Sequence, residues 1–158
     1  YYIGADNIEA DTGHLINPTT IKEKRIRGPA YRFKKGQLLY SKLRPYLNKA
    51  TIIGFAGFCS ADMYPLSVNQ DSAKPEYVLT YILSPAFMQS IKDFYARARM
   101  PKINKEQLYS LKMPLPSLSD QQQIVSQIEV EQKIVNENKK LIEIFENKIS
   151  DTISALWA

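Results

Sequence analysis

The sequence has one cysteine, Cys59, and one histidine, His14, among its 158 residues. A lone cysteine excludes an intrachain disulfide framework and fits a reducing, cytoplasmic setting. A zinc site needs more soft ligands than one thiol and one imidazole, so no metal centre is expected. His14 reads as an exposed turn residue and Cys59 as a small core residue. No run approaches the ~20 apolar residues of a membrane span, and no signal-peptide pattern opens the chain, so no membrane partner is expected. The chain begins at Tyr1 rather than Met, which reads as a piece of a longer protein. Glycine-rich nucleotide loops, a P-loop, a nucleophile elbow and a carboxylate–lysine nuclease cluster are all missing. The expectation is a non-catalytic chain with no cofactor of its own.

The most telling absence lies at the C-terminal end. Residues 119–158 contain neither glycine nor proline. In their place, apolar residues recur every seven positions at Ile128, Val135, Ile142, Ile149 and Leu156, and Ile134, Leu141, Phe145 and Ile153 widen the line into a stripe. A repeat of this period predicts a helix that packs along another helix. At about 1.5 Å per residue it would be roughly 55 Å long, too long for one small domain to cover, so it reads as an arm on a compact head. Glu131 and Asn138 flank the stripe and are placed to fix register.

Acidic residues are scarce in the head. Residues 1–118 hold 17 Lys/Arg against 9 Asp/Glu, whereas residues 119–158 hold 4 against 7. The densest run, Lys22 to Lys49, has ten basic residues and only Glu23 opposing them. Such a head points to phosphate-bearing partners; an ordinary solvated basic face is the competing explanation.

With 44% apolar residues a packed core is possible. The first half reads as strands and turns. Asp11-Thr12-Gly13-His14 and Gly28-Pro29 are turn signals. Tyr31-Arg32-Phe33-Lys34 alternates as a half-exposed strand does, and Gln37–Ser41 reads as a buried strand. Thr51–Ile53 and Phe58-Cys59 flank Gly54–Gly57 as a hairpin. Met63–Val68 is a further strand, with Pro65 placing it at an edge or bulge. The middle is helical: Pro75 opens one helix through Leu83, and Ser84-Pro85 caps a second whose buried face is Phe87, Met88, Ile91, Phe94 and Tyr95. Asn104 and Gln107 form a capping box for a short helix. Two prolines keep Met113–Pro116 extended, and Ser119 with Gln122 reads as the box that starts the arm.

Three basic groups are candidate binding residues. Lys42, Arg44 and Lys49 surround a Pro45-Tyr46 turn and either meet phosphates or pack the loop. Arg97, Arg99 and Lys102 follow a helix end; the two arginines could reach guanine edges or simply suit the helix dipole. Lys22, Lys24, Arg25, Arg27, Arg32, Lys34 and Lys35 interleave with Tyr31 and Phe33, lining a nucleic-acid groove or forming an exposed strand pair.

Three segments together carry a resemblance: Gly36-Gln37-Leu38-Leu39-Tyr40-Ser41-Lys42-Leu43-Arg44-Pro45-Tyr46-Leu47-Asn48-Lys49 with Gly57–Asp62; Met100-Pro101-Lys102-Ile103-Asn104; and Met113–Val125. In this order, and with a long helix last, they resemble the target recognition domain and spacer helix of type I restriction–modification specificity subunits, or the same module fused behind an adenine methyltransferase. The resemblance covers nearly the whole chain. It implies an α+β fold: a compact mixed α/β DNA target recognition domain over residues 1–117 and one long C-terminal coiled-coil-type helix over residues 118–158. It also implies double-stranded DNA as ligand, a spacer that docks against a second spacer, and a methyltransferase partner that holds S-adenosylmethionine and methylates adenine at N6. Asn17-Pro18-Thr19-Thr20 is a turn and not the Asn-Pro-Pro-Tyr motif of such an enzyme, so catalysis is expected in the partner. The Lys22–Lys35 stretch matches the family pattern least and is the candidate for sequence-specific readout. At Ala96–Arg99 the family often has a glycine-containing loop, and this chain departs from it. One recognition domain and one spacer suit half of a subunit, a half-length subunit that dimerises, or the tail of a fused enzyme. The alternative function is a protein- or RNA-interaction module that dimerises through Ile128, Val135, Ile142, Phe145, Ile149 and Leu156.

Overall fold

The computed structural model describes residues 1–26, 28–96 and 99–157. They fall into two compact units, Tyr1–Gln121 and Gln122–Ala158.

The first unit is built on two three-stranded sheets. The strands are β1 (Tyr2–Ile3), β2 (Ala30–Phe33), β3 (Leu38–Ser41), β4 (Ala50–Ile52), β5 (Gly57–Ser60) and β6 (Met63–Leu66). One sheet has the order β1-β5-β2, with β5 parallel to β1 and antiparallel to β2. The other has the antiparallel order β4-β3-β6. The chain changes sheet at the Lys34–Gln37 turn, where Gly36 takes φ +84°, a left-handed conformation that glycine adopts freely.

Strand β3 organises the core. Its side chains alternate between faces, and all four residues are buried. Leu38 and Tyr40 join a cluster with Ala50, Tyr64, Ile82, Phe87, Ile91 and Ile103. Leu39, on the other face, joins Ile3, Ile8, Phe33, Ile53, Cys59 and Met63. A strand buried on both faces has no polar alternation, which is why Leu38-Leu39-Tyr40 within Gln37–Ser41 is unbroken by a polar residue. Phe33 is fully buried between exposed Arg32 and Lys34, the alternation expected there. Pro65 lies in the edge strand β6, as its missing N–H requires.

The expected hairpin between Thr51–Ile53 and Phe58-Cys59 does not form. β4 pairs with β3, and β5 inserts between β1 and β2. Ile53 is fully buried and exchanges backbone bonds with the Gln37 turn, its N–H meeting the Gln37 carbonyl at 3.0 Å and its carbonyl meeting the Gly36 N–H at 2.8 Å. Both strands thereby complete buried faces in separate sheets, which a local hairpin would leave open.

Among the described residues there are five α-helices: α1 (Ile21–Lys24), α2 (Pro75–Ile82), α3 (Pro85–Tyr95), α4 (Lys105–Ser110) and α5 (Leu118–Leu156). Ser84 Oγ accepts the Phe87 N–H, and Asn104 and Gln107 form the reciprocal box ahead of α4, both as the sequence predicts. The cap of α5 differs. Ser117, not Ser119, accepts from the Asp120 N–H at 3.2 Å, so the helix starts two residues closer to Pro116. The extended run before it is tied to α2 by two tyrosines: Tyr77 donates to the Pro114 carbonyl at 3.0 Å and Tyr81 to the Lys112 carbonyl at 3.2 Å.

Candidate nucleic-acid interface

The basic residues singled out in the sequence fall into two groups in the first unit. The first comes from β2, the turn after it and α1. Arg32, Lys34 and Lys35 are exposed, as are Lys22 and Arg25 at α1. Register places Arg32 opposite Phe58, which is itself opposite Tyr2 on β1. Paired residues share a sheet face, so Arg32 sits beside Phe58, itself 40% exposed. Lys24 differs from its neighbours. Its ammonium donates to Asp6 at 2.7 Å and to Asn7 Oδ1 at 3.1 Å, and it lies 5.8 Å from the centre of the Tyr2 ring. The hydrogen bond from Lys24 holds the Asp6 carboxyl below its usual range. Arg27 lies outside the described residues.

The second group forms where two distant segments meet. Leu43 and Lys102 make an antiparallel bridge. The Arg44 N–H donates to the Pro101 carbonyl at 2.8 Å, and the Ile103 N–H donates to the Lys42 carbonyl at 3.0 Å. Arg44 takes a left-handed conformation, φ +51°, at the entry to the Pro45–Leu47 turn. That turn is buttressed by Tyr46 against Tyr95 at the end of α3, with ring centres 6.2 Å apart. Arg44, Arg99 and Lys102 are all exposed. The structure thus joins residues that the sequence keeps almost sixty positions apart. Arg97 lies outside the described residues.

The lysines on either side of Arg44 are placed differently. Lys49 turns inward and donates to the Ala5 carbonyl at 2.8 Å. Lys42 is buried, its Nζ lying 4.9 Å from the centre of the Tyr64 ring and 5.7 Å from that of Tyr31.

Gln121 is a residue that sequence reasoning missed. It is fully buried in the first unit. Its Oε1 accepts the Lys74 N–H at 2.9 Å, and its Nε2 donates to the carbonyls of Ser72 at 3.0 Å and Pro116 at 2.9 Å. The run Gln121-Gln122-Gln123 carries no mark of which amide turns inward.

The remaining reactive side chains offer little chemistry. Cys59 is buried, and burial pushes its thiol up to about 11, so it stays protonated at neutral pH. His14 is half-exposed and lies 3.2 Å from Glu9. Among the described residues no three His, Cys, Asp or Glu side chains converge on a metal-sized site. No helix among them is long and apolar enough to cross a membrane.

In the second unit Ile128, Val135, Ile142, Phe145, Ile149 and Leu156 are all exposed, from 37% at Ile128 to 78% at Leu156. The apolar stripe therefore stands uncovered along α5.

Comparison with known proteins agrees with this architecture. The family model for the type I restriction modification DNA specificity domain matches residues 2–146. The specificity subunit of the Escherichia coli type I restriction enzyme EcoDI is 35% identical over 128 residues, covering 81% of this chain and 28% of that protein. The HsdS subunit of Thermoanaerobacter tengcongensis has the same fold, with a TM-score of 0.73 at 22% identity over 89% of this chain and 37% of its own. A chain solved in work on complex assembly and conformational transition of the type I R-M system superposes with a TM-score of 0.77, at 22% identity and the same coverage. The chain spans about a third of the length of these relatives. It belongs to the type I restriction modification DNA specificity domain family.

Proposed function

We propose that the first unit reads one part of a double-stranded DNA target, and that α5 sets its distance from a second recognition domain while holding an adenine-N6 methyltransferase. The observation that carries this reading is the Leu43–Lys102 bridge, which gathers exposed Arg44 and Lys102, with Arg99 close by in sequence, at one rim of a basic unit. Arginine forks suit guanine edges and phosphates alike. The exposed set Lys22, Arg25, Arg32, Lys34 and Lys35 is the candidate for sequence-specific readout. Lys24 and Lys49, already bonded to protein oxygens, shape the unit instead. The division of labour falls at residues 1–117 and 118–158. The uncovered stripe of α5 pairs with a second spacer helix, from another copy or from the remainder of a longer subunit. Methyl transfer and S-adenosylmethionine belong to the partner, and the complex works in the cytoplasm.

The test is duplex DNA binding across a salt series, for the whole chain and for Arg44→Ala and Arg99→Ala. Affinity should fall steeply with salt. A variant that loses a phosphate contact should weaken binding evenly and flatten the salt slope by about one; one that loses a base contact should cost roughly 1–3 kcal/mol on the cognate sequence alone. Unaltered DNA binding in both variants, with self-association retained, would favour the protein- or RNA-interaction alternative.

A further inference from the structure

Lys42 is the only charged residue that is buried among the described residues, at 8% exposure. Lys24 and Lys49 are also drawn inward, and each meets an oxygen, that of Asp6 or of the Ala5 carbonyl. Lys42 meets none: no carboxylate pairs with it and no acceptor takes its N–H groups among the described residues. It faces two aromatic rings, Tyr64 at 4.9 Å and Tyr31 at 5.7 Å. Ring faces at this range attract the charge. The stem is buried, but Nζ is not one of the buried unpartnered side-chain atoms, so its three N–H donors stay open to solvent. The Tyr64 side is closed: that residue is 6% exposed, and its hydroxyl donates to the Ile103 carbonyl at 3.3 Å. The Tyr31 side is open, with 43% of that residue exposed.

We propose that the Lys42 ammonium, pinned between Tyr31 and Tyr64, is a fixed anchor for one phosphodiester oxygen of the DNA backbone. The assignment rests on the DNA-recognition reading above. A phosphate is preferred to a base edge on grounds of reach. Base edges lie at the floor of a major groove about 8.5 Å deep, and a lysine whose stem is buried cannot extend that far. Phosphate oxygens project toward the protein surface and need only a donor held at the right place. The site adjoins the Leu43–Lys102 bridge, so a phosphate held there sets the register of Arg44 and Lys102 on the duplex. The caged stem has already lost its rotamer freedom, so little further ordering accompanies contact.

The experiment measures binding of the whole chain to fluorescent mixed-sequence and defined-sequence duplexes across a salt series, comparing wild type with Lys42→Met, which keeps an unbranched apolar stem of similar reach. The expected result is a loss of affinity by the same factor on every duplex and a salt slope shallower by about 0.9, the signature of one lost ionic contact. A folded Lys42→Met chain with unchanged affinity and slope overturns the proposal, as does a loss confined to one sequence. Should that variant fail to fold, acetylation of wild-type lysines followed by mass spectrometry decides: DNA protects Lys42 if the anchor exists, and an unchanged Lys42 rate overturns it. Wild type that ignores every duplex at low salt would instead sink the broader DNA reading, and this assignment with it.

Discussion

At the scale of single residues, like charges are not equivalent. The basic run from Lys22 to Lys49 reads in sequence as one feature. In the structure it contains a lysine bonded to a carboxylate (Lys24), a lysine on a backbone carbonyl (Lys49), a lysine caged by rings (Lys42) and an exposed arginine at the rim (Arg44). Sequence supplies the charge but not the acceptor that each side chain finds, because the acceptors at Asp6 and Ala5 lie far away along the chain. Gln121 teaches the same lesson for a neutral group. Its three hydrogen bonds join Ser72, Lys74 and Pro116. Gln121→Leu fills similar space while leaving those backbone groups without their partner, and each unmet buried group costs roughly 1–3 kcal/mol. The first unit should lose about 2 kcal/mol or more, read as a lower urea midpoint at unchanged slope. A midpoint equal to wild type would show that the amide is dispensable.

At the scale of elements, most of what is local was legible, the α5 cap apart, and what is non-local was not. The N-caps at Ser84 and Asn104 and the edge position of Pro65 follow from a few neighbouring residues. The partner of β5 does not. Proximity along the chain suggests β4, but burial of Phe33 and Cys59 in one cluster draws β5 between β1 and β2. The Leu43–Lys102 bridge was invisible for the same reason. Helix α5 is the opposite case, its period written plainly in the sequence and its apolar face left open. Ile142 lies mid-helix within that face and is 57% exposed. A carboxylate there would be desolvated by a partner helix, so Ile142→Asp should abolish self-association and lower helix content, measured by sedimentation and circular dichroism. Unaltered mass and ellipticity would mean that the stripe is not an interface.

At the scale of the molecule, the two units depend on different things. The first has two buried clusters of its own and should unfold at a midpoint independent of protein concentration. The second is a single helix whose apolar stripe from Ile128 to Leu156 is exposed, and tertiary packing, not propensity, stabilises most helices. Dilution should therefore reduce the far-ultraviolet helical signal while the near-ultraviolet signal of the tyrosine-rich first unit holds steady. A far-ultraviolet signal constant over several decades of concentration would mean that α5 is stable alone.

Strand β3 has one further consequence. Because neither of its faces meets water, it offers no site where mutation is inexpensive, and a change at Leu38, Leu39 or Tyr40 disturbs one cluster or the other. Substitution is less costly at exposed positions such as Lys22, Arg32, Lys34 and Lys102, whose side chains enter neither cluster. The charge of that surface can then be rewritten while the strand beneath it keeps its packing.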